Sequence, residues 1–256
     1  MTNAAPTAAV LLIGNEVLSG RTKDKNLGFI ADYLTALGID LLEARVVADD
    51  EAAIVEAVNA LRARYTYVFT TGGIGPTHDD ITADCMAAAF GVGISHHPDA
   101  VHILETFFKE MGREPNEARM RMARVPHGAT LIENTVSKAP GFKIENVHVM
   151  AGVPKVMQAM MDTIAPTLRK GEPMLSRTLQ FLGGEGDIAK PLEDAQDAFP
   201  DVVMGSYPFE SGAGFCTNLV LRSRDKARLE AAFGVVKLAA EALVAAGKAR
   251  GVSEVV

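Results

Sequence analysis

Tryptophan is absent from the chain, and phenylalanine and tyrosine are scattered, so no aromatic-rich segment marks a flavin or pterin pocket. The two cysteines, Cys85 and Cys216, lie far apart and form no CxxC pair. That excludes a disulfide framework and gives no sign of a zinc site; a reducing, cytoplasmic setting is expected. There is no basic block, and the net charge is −7. A nucleic-acid partner, which needs clustered Lys and Arg, is therefore not expected. The N-terminus lacks a basic n-region, and its apolar run from Ala8 to Ile13 is too short for a signal or a membrane span. No membrane partner and no outward targeting are expected. Repeats and low-complexity tracts are also missing, apart from an alanine-rich final helix.

What remains is a globular composition, 48% apolar and 22% charged, in 256 residues. This is enough for a large α/β domain and a small second one. Residues 8–13 (AAVLLI) read as a fully buried strand, and Leu27, Ile30, Leu34 and Leu37 recur at helical spacing before Gly38. A second unit follows: a strand over 39–47, a helix marked by Ile54, Val58 and Leu61, and a β-rich run over 65–71. Helices are expected over Asp80–Phe90, Pro98–Met111, Asn116–Met122 and 154–165, with a strand over 146–150. The fold class expected is α/β, a mostly parallel sheet with helices on both faces, followed by a small α+β domain. The composition change at RKGEP (169–173) places the boundary, giving domains 1–170 and 171–256. The second holds strands over 176–182, 202–207 and 214–222 and helices over 185–198 and 225–246.

The chemistry is concentrated in Thr70-Thr71-Gly72-Gly73-Ile74-Gly75-Pro76-Thr77-His78-Asp79-Asp80-Ile81-Thr82, where a buried strand hands over to a helix. Open α/β sheets bind ligands at such ends. The glycines let backbone amides approach a ligand, and the helix N-terminus offers unpaired donors to an anion. Neither the dinucleotide fingerprint nor the P-loop pattern is present. Thr77, Asp79 or Asp80 could simply cap the helix. Adjacent acids beside an anion site instead suggest a divalent cation bridging to phosphates.

This stretch resembles the TGGxGxxxxDxT signature of the MogA/MoaB-type molybdopterin-binding-like domains, and its GGIGPTHDD form is similar to CinA and to the N-terminal domain of eukaryotic FAD synthetases. Four further pieces agree in order: Ile13-Gly14-Asn15-Glu16-Val17-Leu18 with Gly20; Asp24-Lys25-Asn26; Val47-Ala48-Asp49-Asp50-Glu51; and Ala139-Pro140-Gly141-Phe142. The resemblance covers residues 8–170, and Gly205-Ser206-Tyr207-Pro208 is similar to the second domain of CinA-like proteins. It implies catalytic roles for Asp80 and Asp49. Ligand contacts are implied for Gly14, Asn26, Gly72, Gly73, Gly75, Thr77, Lys138 and Gly141, and metal contacts for Asp79, Asp80 and Glu16. The cofactor implied is a divalent cation, Mg²⁺, Mn²⁺ or Co²⁺, with none covalently bound.

The activity this implies is a metal-dependent nucleotide pyrophosphatase acting on ADP-ribose or FAD-type dinucleotides, with a homo-oligomer as the expected assembly. Two alternatives stay open: a molybdopterin-binding protein of molybdenum cofactor synthesis, and a non-catalytic nucleotide-binding or regulatory protein. Asn15, and Ala151 in place of a proline, depart from the family pattern. No amidohydrolase-type domain is expected after Val256, and hence no nicotinamide nucleotide deamidation. His96, His97 and His102 read as the start of a helix rather than a metal site. His78 is equally a loop histidine or a phosphate donor, Lys138 and Lys143 are solvated lysines or phosphate cations, and the methionines are core filler.

Overall fold

The computed structural model describes residues 5–212 and 214–255. The chain divides into two compact units, Met1–Gly171 and Glu172–Val256. No helix among the described residues is long and apolar enough to cross a membrane.

The first unit opens with β1 (Thr7–Ile13), whose side chains alternate between two buried faces. The short α1 (Asn15–Leu18), α2 (Asn26–Ala36), β2 (Asp40–Val47), α3 (Glu51–Arg64) and β3 (Tyr67–Thr71) follow. Asp50 caps α3 by accepting from the Ala53 amide at 2.9 Å. Then come α4 (Thr82–Phe90), β4 (Ile94–His96), α5 (Pro98–Glu110), α6 (Glu117–Met120) and β5 (Arg124–Pro126). The unit closes with β6 (Thr130–Ile132), β7 (Gly141–Ile144), β8 (Val147–Met150) and α7 (Pro154–Ile164).

The main sheet has the order β2-β1-β3-β8-β7-β6. Its first four strands are parallel, and β7 and β6 are added antiparallel. Ala9, Leu11 and Ile13 pack with Ile54, Val58 and Leu61 of α3 and Met86 of α4. Ala8, Val10 and Leu12 pack on the other face with Ile30 and Leu34 of α2 and Met157, Met160 and Met161 of α7. The mostly parallel sheet with helices on both faces is therefore present, each fully buried Leu or Ile contributing about 2 kcal/mol. Asn146, in the β7–β8 turn, donates through Nδ2 to the carbonyls of Arg62 and Tyr65 at 3.0 and 2.9 Å, and its own carbonyl accepts from Val68 N.

Two local expectations are corrected, and four short strands had no expectation at all. The helix expected from Asp80 begins at Thr82, where Ile81 occupies the cap position with no side-chain bond, so Thr77, Asp79 and Asp80 do not cap it. The helix expected over Asn116–Met122 is only α6, with Asn116 as its cap, and a single 3₁₀ turn follows it. Strands β4 to β7 hold three or four residues each, too few for a period-two pattern to register.

The second unit contains β9 (Leu175–Phe181), α8 (Glu185–Ala198), β10 (Val203–Ser211), β11 (Gly214–Ser223), α9 (Lys226–Ala245) and β12 (Val252–Val255). Its sheet, ordered β10-β11-β9-β12, is wholly antiparallel. Leu179, Phe181, Leu219 and Leu221 from the sheet pack against Ile188 of α8 and Leu229, Phe233 and Val236 of α9. Asp225 caps α9 by accepting from the amides of Ala227 and Arg228.

Candidate functional site

The turn after β3 is shaped by two glycines with positive φ, Gly72 at 106° and Gly73 at 67°. A Cβ on Gly72 would collide with the Ile13 carbonyl oxygen, and one on Gly73 with Thr82 Oγ1. Only glycine satisfies both the dihedral and the close approach. Thr82 locks the turn to the helix: its hydroxyl donates to Gly72 O at 3.0 Å and its amide to Gly73 O at 3.0 Å. The Gly72 amide in turn donates to Met150 O at 3.2 Å, which anchors the turn on β8.

The turn separates two clefts. One is lined by Gly73, Gly75, Asp80, Asp84, Arg121 and Arg124, with Pro140 and Phe142 as an apolar wall. Asp80 folds back on its own loop, its Oδ2 accepting from the Thr77 amide at 2.8 Å and the Thr77 hydroxyl at 2.5 Å. Arg124 is neutralised by a two-pronged pair with Asp84, at 2.9 and 2.5 Å. Arg121 has no ion pair among the described residues. Its Nη2 reaches the Asp80 carbonyl at 3.5 Å, and its buried Nε has no hydrogen-bond partner.

The second cleft is lined by Glu16, Lys23, Asp24, Asn26, Gly72 and Gly152, among others. Asp24 accepts from the first amides of α2, Asn26 N at 3.2 Å and Leu27 N at 2.9 Å. Asn26 is 5% exposed and donates through Nδ2 to Gly152 O at 2.8 Å. Its Oδ1 is buried without a partner, an acceptor left for a ligand hydroxyl, amide or cation.

The residues singled out from sequence therefore fall into three groups. Gly73, Gly75 and Asp80 share the first cleft, while Gly72, Asn26 and Glu16 share the second, with Gly14 beside Glu16. Asp49, Thr77, Asp79, Lys138 and Gly141 line neither. Asp49 instead accepts from the Asn15 amide at 2.8 Å and ties the loop after β2 to the one after β1. Lys138 is exposed in a positive-φ turn organised by Asn134. Gly141 is buried in β7, where a Cβ would strike the Val149 carbonyl, so its role is strand packing. His78 stands almost fully in solvent. His97 caps α5, its ring accepting from Asp99 N at 3.3 Å.

No three His, Cys, Asp or Glu among the described residues converge to hold a metal. Asp79, Asp80 and Glu16 do not come together, and no resident metal cage is built from them. Arg121 and Arg124 had no signal in the sequence: they lie about fifty residues beyond the glycine turn and reach it through the packing of β5 on α4.

Residues 9–170 match the family model described as "Probable molybdopterin binding domain". The chain belongs to this molybdopterin-binding-domain family. Residues 173–246 match the model described as "FAD synthase, middle domain". Among relatives, a protein of Aeropyrum pernix is 34% identical over 97% of this chain and 94% of its own length. A "CinA-like protein" of Desulfosudis oleivorans is 38% identical over 77% of this chain. This family member matches only 51% of that longer relative. The crystal structure of the protein CinA from Thermoplasma acidophilum, described as of unknown function, superposes with a TM-score of 0.59 at 33% identity. That superposition covers 64% of this chain and 98% of the other.

Proposed function

We propose that the first unit binds the pyrophosphate of a nucleotide such as ADP-ribose or FAD at the glycine turn and hydrolyses its phosphoanhydride. The observation that carries this is Arg121, a guanidinium with no ion pair among the described residues and with a buried, unpartnered Nε, beside the amides of the turn. A planar fork of donors suits a phosphate, and satisfying Nε removes a penalty of about 1–3 kcal/mol.

In the hydrolysis, a water oxygen forms a bond to phosphorus as the bridging P–O bond breaks and the leaving phosphate takes the electron pair. Asp80 Oδ1 accepts the water's proton, its other oxygen being held by Thr77. Amides of the turn and Arg121 stabilise the charge that develops on the nonbridging oxygens. Asn26 Oδ1, across the turn, offers an acceptor for a ribose hydroxyl or an amide of the nucleotide. Asp49 acts through the backbone, by fixing the Asn15 loop. Since the acids build no cage, a divalent cation would come with the nucleotide phosphates, as Mg²⁺ held by one or two carboxylates does.

The test is turnover of ADP-ribose and FAD by the full chain with Mg²⁺, Mn²⁺ or Co²⁺ and with chelator, beside Asp80→Asn. Loss of turnover by at least about a hundredfold with folding intact is expected. Full activity in Asp80→Asn would sink the proposed role. The family model's description favours a second possibility, binding of a molybdopterin phosphate at the same turn. Phosphate-ligand binding without cleavage of any dinucleotide would select it.

A further inference from the structure

His148 lies on β8, two residues before the carbonyl that anchors the glycine turn, but it belongs to a different cavity. It is 1% exposed, and both ring nitrogens are buried without a hydrogen-bond partner. One face of the ring stacks on Phe69, with centroids 5.1 Å apart, and Tyr67 meets it edge-on at 6.0 Å. The strand register sets its neighbours: Phe69 pairs with His148, His148 with Lys143, and Lys143 with Thr130. Directly paired residues project from the same face of a sheet, so these side chains form one row across β3, β8, β7 and β6.

Beyond Phe69 the row is flanked by Thr163 and Ile164 of α7 and by Thr167, leaving a cavity of about 190 Å³ that opens to solvent past the exposed Thr130 and Thr167. It shares no lining residue with either cleft at the glycine turn. Its donors are the Lys143 ammonium, the Thr130 hydroxyl and the single N–H of a neutral imidazole. Its acceptors are the other imidazole nitrogen and the hydroxyl oxygens of Thr163 and Thr167. Those two hydroxyls spend their protons on the carbonyls of Ala159 and Ile164. No carboxylate forms an ion pair with Lys143 among the described residues.

We propose that this cavity is a binding site for a small oxyanion that carries a hydroxyl proton, hydrogen phosphate being the type member. Lys143 and Thr130 take its charged oxygens, the imidazole N–H takes another, and its own O–H donates to the free imidazole nitrogen or to a threonine oxygen. The site stands whether or not the glycine turn hydrolyses a nucleotide. Burial first, and the Lys143 charge second, hold the imidazole at about 4 against the smaller raising effect of the Val68 and Asn146 backbone; a bound anion brings it back toward the ordinary histidine range.

The test follows the His148 ring by NMR in histidine-labelled full-length protein, assigned through its own backbone, during titration with inorganic phosphate and separately with sulfate at constant ionic strength. A saturable response to phosphate is expected, weaker by about tenfold with sulfate, which has no proton to donate at neutral pH. Lys143→Met is expected to weaken it by at least about tenfold. Arg121→Ala, which removes a donor only at the glycine turn, is expected to leave it unchanged. A ring that ignores phosphate, or answers equally in Lys143→Met, would overturn the proposal and leave water as the occupant. A response lost in Arg121→Ala would overturn it too, by placing the phosphate at the turn.

Discussion

Both units pair charges at the surface, the first through Arg45–Glu43, Arg62–Glu145 and Arg124–Asp84, but they differ in the polar groups they bury. In the first, Asn26 Oδ1, Arg121 Nε and both nitrogens of His148 are buried without partners. In the second, the surface pairs are Arg177 with Glu230 and Glu254, Arg228 with Asp201, and Lys237 with Glu254. Asn218 Oδ1 is the one buried side-chain atom left without a partner there among the described residues. Exposed pairs are each worth less than about 1 kcal/mol, so the second unit rests on its apolar core and its polar surface answers to itself. Orphaned buried groups cost about 1–3 kcal/mol each, and a fold that retains several in one unit keeps donors and acceptors for something outside the chain.

The largest effect that would sharpen this contrast is steric. Gly72→Ala forces a Cβ against the Ile13 carbonyl at a φ of 106°, and a loss of about 3–4 kcal/mol is expected by denaturant unfolding of the first unit. Acid is the next probe. His148 titrates at about 4 when folded and near its ordinary value of 6.5 when unfolded. The unfolded chain therefore binds the proton first. The stability this group confers is complete above about pH 6.5, declines as the pH falls, and by pH 4 about 3 kcal/mol is gone. Unfolding of wild type and His148→Gln in phosphate-free buffer across that window measures it; parallel pH profiles would break the contrast.

Arg121→Ala is expected to cost about a hundredfold in kcat/KM for a dinucleotide, close to 2.7 kcal/mol, with little change in thermal stability. A variant that melts early and turns over normally would make Arg121 a structural residue and bring the first unit into line with the second. The smallest effect lies in the second unit. Asp225→Ala removes the α9 cap and should cost about 1 kcal/mol by unfolding while leaving turnover as it was.

Much of this architecture can be read from spacing alone. Ile54, Val58 and Leu61 mark one face of α3, and the unbroken apolar run of β1 announces burial on both sides of a parallel sheet. The glycine turn is legible because Gly72 and Gly73 are demanded by local geometry, which a sequence records directly. Arg121 is not legible, since nothing near it differs from a solvated helix end and its meaning depends on where α6 and β5 pack. His148 is hidden for a related reason: in NVHVM it looks like one polar residue in a strand, and only the register with Lys143 and Thr130 gives it a cavity. Gly141 shows the reverse case, a motif residue for which the close Val149 carbonyl is by itself a reason to be glycine.

The antiparallel hairpin of β7 and β8 also carries a consequence for the order of assembly. β1, β2 and β3 can join through short connections, but setting β8 beside β3 brings Thr71 against Met150 across roughly eighty residues, a closure whose entropy must be met before its contacts form. The side chain of Asn146, bonded to Arg62 and Tyr65, fixes the register of that late docking. Pro140 and Phe142 come with the hairpin, so the cleft beside the glycine turn is complete only once β8 has docked on β3. A ligand held there has nothing to grip in the transition state until the hairpin docks, and it acts chiefly as a brake on unfolding.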